Sequence, residues 1–309
     1  MPEAIQTIDH HYQATCEAIA SYVVFAPRGP VLFETGPGST FSRLVEGLAR
    51  IRLRPADIRH VFVTHIHLDH AGAAGHLARE GATIYVHEFG AKHLIDPSRL
   101  LASAKRIYQE RMERLWGETF PIPERQAVAL HDGDVIDAAG LRVEAIETPG
   151  HARHHHAFAC EVGGERIAFT GDAGACFVRE APGFISLPTP PPEFDRDQWI
   201  ASLHRLEARN FDAIYPTHYG RVDEVRAHLA RVRLAVRQHS DFVRDMLIAE
   251  MPRDAMLTRY TAWFVEQAER AGVPADKMDF YVKSSLAAMN LAGMLRYWAA
   301  ALGMEAGMA

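Results

Sequence analysis

The residues able to do chemistry stand together in one short run, Thr64-His65-Ile66-His67-Leu68-Asp69-His70, directly behind the apolar Val61-Phe62-Val63. Three imidazoles and one carboxylate so close together are a donor set that suits transition-metal ions. In an extended segment, residues two apart share a face, so His65 and His67 can grip one ion together. Asp69 and His70 follow the predicted strand end and need not keep that face. They can bind the same ion or a neighbouring one. A solvated histidine-rich loop is the plain alternative, and a single H-x-H pair would not exceed it. The full pattern behind a β-run does, because unsatisfied histidines and an unpaired aspartate are costly there.

Three further segments each put a polar residue on a turn after an apolar run. Residues 143–146 read as a strand, followed by Thr148-Pro149-Gly150-His151, where Pro and Gly make the turn and His151 projects past it. Residues 166–170 read as a strand ending in Gly171-Asp172-Ala173-Gly174, whose glycines let the backbone bend around Asp172. Residues 211–215 run into Pro216-Thr217-His218-Tyr219-Gly220, which places His218 at another strand end. Singly, Asp172 reads equally well as a turn residue and His218 as a satisfied loop histidine. Four strand ends carrying these donors point to one site.

In this order, H-x-H-x-D-H, T-P-G-H, G-D and a late T-H, the chain resembles the metallo-β-lactamase superfamily over residues 15–220. The run T-P-G-H-A-R-H-H from Thr148 is similar to the glyoxalase II-like branch. The resemblance implies an α/β fold, the αββα sandwich of two mixed sheets flanked by helices. It also implies a ligand set: His65, His67 and His151 on a first metal, Asp69, His70 and His218 on a second, and Asp172 bridging them. The family usually carries Asp-Thr-Gly early in the chain, with the Asp orienting a ligand. Here Glu34-Thr35-Gly36 stands in that place, and Glu34 is expected to take that role. One of His154 and His155 is expected to support a ligand or line the pocket.

Such a site implies two divalent ions, zinc by default, with iron or manganese able to use the same ligands. Metal binding lowers the pKa of water from 15.7 toward about 7, so a hydroxide bridging the ions is the expected nucleophile. Asp69 would also take a proton as the intermediate collapses, and the Tyr219 phenol could donate to an oxyanion; plain packing is an equal alternative for Tyr219. The expected reaction is hydrolysis of a small thioester, lactone or related ester. Two competitors stay open: a mononuclear iron persulfide dioxygenase and a phosphodiesterase or nuclease of the same fold. The other histidines, His11 among them, carry no functional expectation. Cys16, Cys160 and Cys176 show no paired spacing, and free cysteine is most often buried packing.

The remaining features bound this reading. The 309 residues are 48% hydrophobic, ample for a core, and the formal net charge of −6 argues against a nucleic-acid surface. No signal peptide or membrane span is expected, and unpaired cysteines suit the reducing cytoplasm. The expected partner is a small-molecule substrate.

The elements that must position the site follow from hydrophobic pattern. Strands are predicted at 5–8, 16–25, 31–33 and 83–86, with a turn at Arg28-Gly29-Pro30. Helices are predicted at 40–49, capped by Ser39 or Thr40, at 71–80, and over 97–118. The connection 97–123 is a candidate wall of the pocket, with simple packing at least as good a reading. Pro188 to Pro192 reads as a loop near the site, with Phe177 and Phe184 able to line an apolar pocket. Beyond about Val222 the chain reads as helical, closed at Gly272 and Pro274. The expected organisation is a metallo-β-lactamase-like domain at 1–235 and a helical extension at 236–309. That extension packs on the sandwich or forms a homodimer, and the end, 303–309, is expected to be loose.

Overall fold

The computed structural model describes residues 4–278, 280 and 286–304, so the expected loose end lies outside the described residues from 305 onward. Thirteen strands occur among them: β1 Ile5–Asp9, β2 Ala20–Ala26, β3 Gly29–Phe33, β4 His60–Phe62, β5 Thr83–His87, β6 Ala127–Leu130, β7 Val135–Ala138, β8 Leu141–Glu147, β9 His156–Val162, β10 Glu165–Phe169, β11 Cys176–Val178, β12 Ala181–Ser186 and β13 Ala213–Tyr215. The chain divides into two compact units. The first holds the residues up to Glu147 together with His154–Gly171 and Phe211–Asp223; the second holds Thr148–Arg153, Asp172–Asn210 and the chain from Glu224 onward.

The first unit contains two mixed sheets. One runs β1-β2-β3-β4-β5-β6, antiparallel through β3 and parallel from there. The other runs β13-β10-β9-β8-β7, with only β13 parallel to its neighbour. The middle strands are buried on both faces, which is why Tyr22-Val23-Val24 and Val31-Leu32-Phe33 read as continuous apolar runs rather than alternations. Tyr22, Phe33, Phe62 and Tyr85 of the first sheet pack with Phe158, Phe169 and Tyr215 of the second in one core. Phe33 stacks on Phe169 with ring centroids 3.8 Å apart. The other face of the first sheet is covered by helices: Leu44 and Leu48, one turn apart on Phe41–Arg50, join Leu77, Leu94, Val61 and Ile84.

Several boundaries differ from expectation for local reasons. The β2–β3 turn is Pro27-Arg28, and Gly29-Pro30 already belong to β3. Thr40 occupies the N-cap of Phe41–Arg50, but its hydroxyl does not cap it. It meets His10 Nδ1 at 2.9 Å and donates to the Pro37 carbonyl. The segment after the metal-type motif is two short helices, Leu68–Ala71 and Ala74–Arg79. The long helix predicted over 97–118 breaks into Ser98–Tyr108 and Met112–Trp116 around Gln109, whose φ of 49° no helix accepts.

The second unit contains the β11–β12 hairpin, the helix Arg196–Ala208 and the C-terminal helices Val225–Ile248, Arg253–Ala271, Ala275–Met278 and Leu286–Ala301. Val225–Ile248 is continuous through position 235. Gly272 ends Arg253–Ala271 with φ 78°, as its sequence predicts. No described helix is long and apolar enough to cross a membrane.

Candidate metal centre

In the first unit the donors sit where strands stop. β4 ends at Phe62, and a bent segment carries His65 and His67 up to the helix Leu68–Ala71. His65 Nε2 lies 2.8 Å from His67 Nδ1, so the two imidazoles stand together. Asp69 and His70 sit on the first turn of that helix, and His218 follows β13. Asp69, His70 and His218 each bring one ligand atom, all within 4.8 Å of one another. Asp69 Oδ2 is 3.7 Å from His70 Nε2 and 3.5 Å from His218 Nε2. Tetrahedral metal ligands with bonds of 2.0–2.2 Å stand about 3.3–3.6 Å apart. The spacing and the donor chemistry both fit one divalent ion.

Hydrogen bonds at the far side of each ring set which nitrogen faces inward. His218 Nδ1 lies 2.6 Å from the Ala18 carbonyl. A carbonyl can only accept, so Nδ1 carries the proton and Nε2 keeps its lone pair. His70 Nδ1 is 3.2 Å from Glu34 Oε1, with the same result. Thr64 donates its hydroxyl to Glu34 Oε1 at 2.6 Å and therefore accepts from His65 Nδ1 at 3.1 Å. All three rings are thus prepared as Nε2 ligands.

Glu34 organises this arrangement. It is 1% exposed, follows β3 with φ 62°, and takes hydrogen bonds on Oε1 from Thr64, His70 and Thr217. Thr35 donates its amide to the His70 carbonyl at 2.8 Å. The Glu-Thr-Gly segment therefore grips His70 by ring and backbone together. His155 is fully buried, with its ring centroid 5.0 Å from that of His65. The His154 ring stands 5.5 Å from His67. Gly171 carries φ 49°, and a Cβ there would meet Thr64 Oγ1 at 2.4 Å and His155 Nε2 at 2.7 Å, so only glycine fits.

The second unit holds the other two candidate donors. His151 Nε2 lies 3.2 Å from Asp172 Oδ2, both side chains buried. His151 Nδ1 donates to the Pro188 carbonyl at 2.8 Å, again leaving Nε2 as the ligand end. Gly150 has φ 134°, and a Cβ on it would lie 2.3 Å from Trp199, so this turn packs directly on the helix Arg196–Ala208. The Asp172 turn is held from both sides, by the Trp199 indole donating to the Ala173 carbonyl and His228 Nε2 donating to that of Gly174.

The remaining expected site residues have packing partners. Phe184 stacks on Phe264 inside a second-unit core, and Phe177 packs edge-on against His228. Tyr219 is buried within the core between the two sheets. Of the aromatic group next to Asp69, Tyr108 and Trp116 lie in the candidate wall 97–123, and sequence reasoning missed Tyr12. Tyr12 and Tyr108 both pack on Trp116, with centroids 5.7 and 5.1 Å away. Burial first, then the negative charge of Asp69, pushes both phenols well above their usual pKa. They remain protonated donors at neutral pH. Tyr108 and Trp116 had a signal, their helical spacing in 97–118, but Tyr12 had none.

Comparison with known proteins identifies the family. The family profile of the metallo-beta-lactamase superfamily matches residues 14–218. A metallo-beta-lactamase fold-containing protein of Sulfurisphaera tokodaii is 28% identical over 150 residues, 47% of this chain and 54% of that one. An atrochrysone carboxyl ACP thioesterase of Aspergillus fumigatus is 27% identical over 208 residues, 67% of this chain and 52% of that one. The chain thus spans about half the length of these relatives. A metallo-beta-lactamase family protein from Thermus thermophilus superimposes with a TM-score of 0.71 at 19% identity, covering 97% of this chain and 94% of the other, which establishes the shared fold. The chain belongs to the metallo-beta-lactamase superfamily.

Proposed function

We propose that this chain is a dinuclear metal-dependent hydrolase acting on a small thioester or related ester. The observation that carries the reading is the Asp69–His70–His218 group, with two imidazoles fixed so that Nε2 faces the carboxylate. Membership of the superfamily supports the remaining assignment: His65, His67 and His151 to one ion, Asp172 shared. Placement in the glyoxalase II-like branch rests on the run from Thr148. The name of the Aspergillus fumigatus relative, a thioesterase, favours a thioester among the candidate esters.

Bound divalent ions supply an acidified water and polarise the substrate carbonyl. The chain's own groups do the rest. Glu34, Ala18 and Pro188 hold the imidazoles in one tautomer and one orientation. Asp69, the most open of its group at 24% exposure, is placed to take the proton of the attacking water and pass it to the leaving thiol. The neutral phenols of Tyr12 and Tyr108, within the field of Asp69, would be donors available to the acyl group.

The test is a panel of thioesters, lactones and phosphodiesters, run on zinc-reconstituted protein with the metal counted. Two ions per chain and thioester turnover are expected, and Asp172→Ala should lose both. One iron per chain with oxygen uptake on a persulfide would replace this reading. Full metal and full turnover in Asp172→Ala would remove the shared ligand from it.

A further inference from the structure

The end of β1 and the loop from it to β2 carry a second group of donors that the centre above does not use. Asp9, His11 and Cys16 each offer one ligand atom, and the three atoms lie within 4.8 Å of one another. Cys16 Sγ is 3.3 Å from His11 Nδ1, and Asp9 Oδ2 is 3.8 Å from the same nitrogen. Zinc bonds of 2.0–2.3 Å place tetrahedral ligands about 3.3–3.7 Å apart. The two edges that meet at His11 therefore already stand close to the edge lengths of an occupied site.

The carboxylate is fixed in advance. Asp9 Oδ1 accepts from the His11 amide at 3.0 Å and Oδ2 from the Glu17 amide at 2.8 Å, which leaves each oxygen a further lone pair. The group is open to entry: Cys16 is exposed, and His11 borders a surface cavity of about 540 Å³. We propose that Asp9, His11 and Cys16 form a separate metal site for one zinc-class divalent ion, with water completing its shell. Thiolate and imidazole select such an ion over hard ions such as magnesium or calcium.

The consequence is mechanical. An ion here ties the end of β1 to residues 11 and 16 of one loop. That loop supplies Tyr12 to the aromatic wall and the Ala18 carbonyl to His218. Occupancy would hold both in place.

Cobalt(II) tests this directly, because a cysteine ligand gives a thiolate-to-cobalt charge-transfer band. None of the seven residues proposed for the other centre is a thiol, so the band reports on this group and stands apart from the hydrolase reading. Titrating metal-free protein with cobalt should raise the band to one equivalent in the wild type and in Cys176→Ser. It should be missing in Cys16→Ser and in His11→Ala, and zinc bound per chain should fall by one in both. Cys16 is exposed, so serine there leaves packing unchanged. Absence of the band in saturated wild-type protein, or its survival in Cys16→Ser, would overturn the proposal.

Discussion

Glu34 shows how much of a candidate metal centre lies outside its candidate ligands. One of its oxygens receives two hydroxyls and an imidazole, and through Thr64 it also sets the tautomer of His65. Two candidate ligands, His65 and His70, depend on that single carboxylate. Glu34→Ala should therefore weaken metal binding by about 10–100-fold, read by competition with a chelator. Glu34→Gln keeps an acceptor oxygen and should lose less. Wild-type affinity in the alanine variant would mean that His65 and His70 are held by packing alone. The contact with His70 was legible in the sequence, because Glu-Thr-Gly stands where the family has Asp-Thr-Gly. The partners of His218 and His151 were not. Ala18 and Pro188 act through backbone carbonyls, and a carbonyl leaves no mark on residue type.

Among the elements, strand ends were readable and supports were not. The strands before His65, Asp172 and His218 end in buried apolar residues, the one before His151 alternates with Leu141, Val143 and Ala145 buried, and a turn residue or a helix start follows each. The helix predicted over 97–118 failed at Gln109 because apolar spacing continues across the break and gives no sign of a positive φ. The C-terminal helices were read as packing, and one of them reaches the site's supports. Asn290, on Leu286–Ala301, accepts from the Thr189 amide at 2.9 Å, and the Thr189 hydroxyl donates to the Asn290 carbonyl at 3.0 Å. Thr189 follows Pro188, whose carbonyl holds His151. Asn290→Ala strands a fully buried amide, at a cost of about 1–3 kcal/mol. Denaturant unfolding of the metal-free variant should show that loss, and chelator competition should show weaker metal binding. A loss of stability with unchanged metal affinity would mean that the loop does not transmit to His151.

Over the whole molecule, acid sensitivity is built in by imidazoles buried neutral. Burial lowers His228 to about 4, against the opposing pull of the Gly174 carbonyl, and lowers His239 to about 3. An unfolded histidine titrates near 6.5. Below that pH the unfolded chain takes up protons that the folded chain refuses, so stability rises with pH across this range. The contribution is complete above about 6.5 and is lost progressively as pH falls toward the folded values. Between pH 7 and pH 5 the two residues should remove on the order of 2 kcal/mol each. Metal ligands titrate in the same range, so the measurement belongs on chelated protein, by urea unfolding at both pH values. Replacing His239, which pairs with the Tyr260 hydroxyl at 2.8 Å, by leucine should lower stability at pH 7 yet reduce the difference between the two pH values. Equal stability at pH 7 and pH 5 in the wild type, or a difference that the leucine leaves untouched, would place the acid sensitivity in other groups.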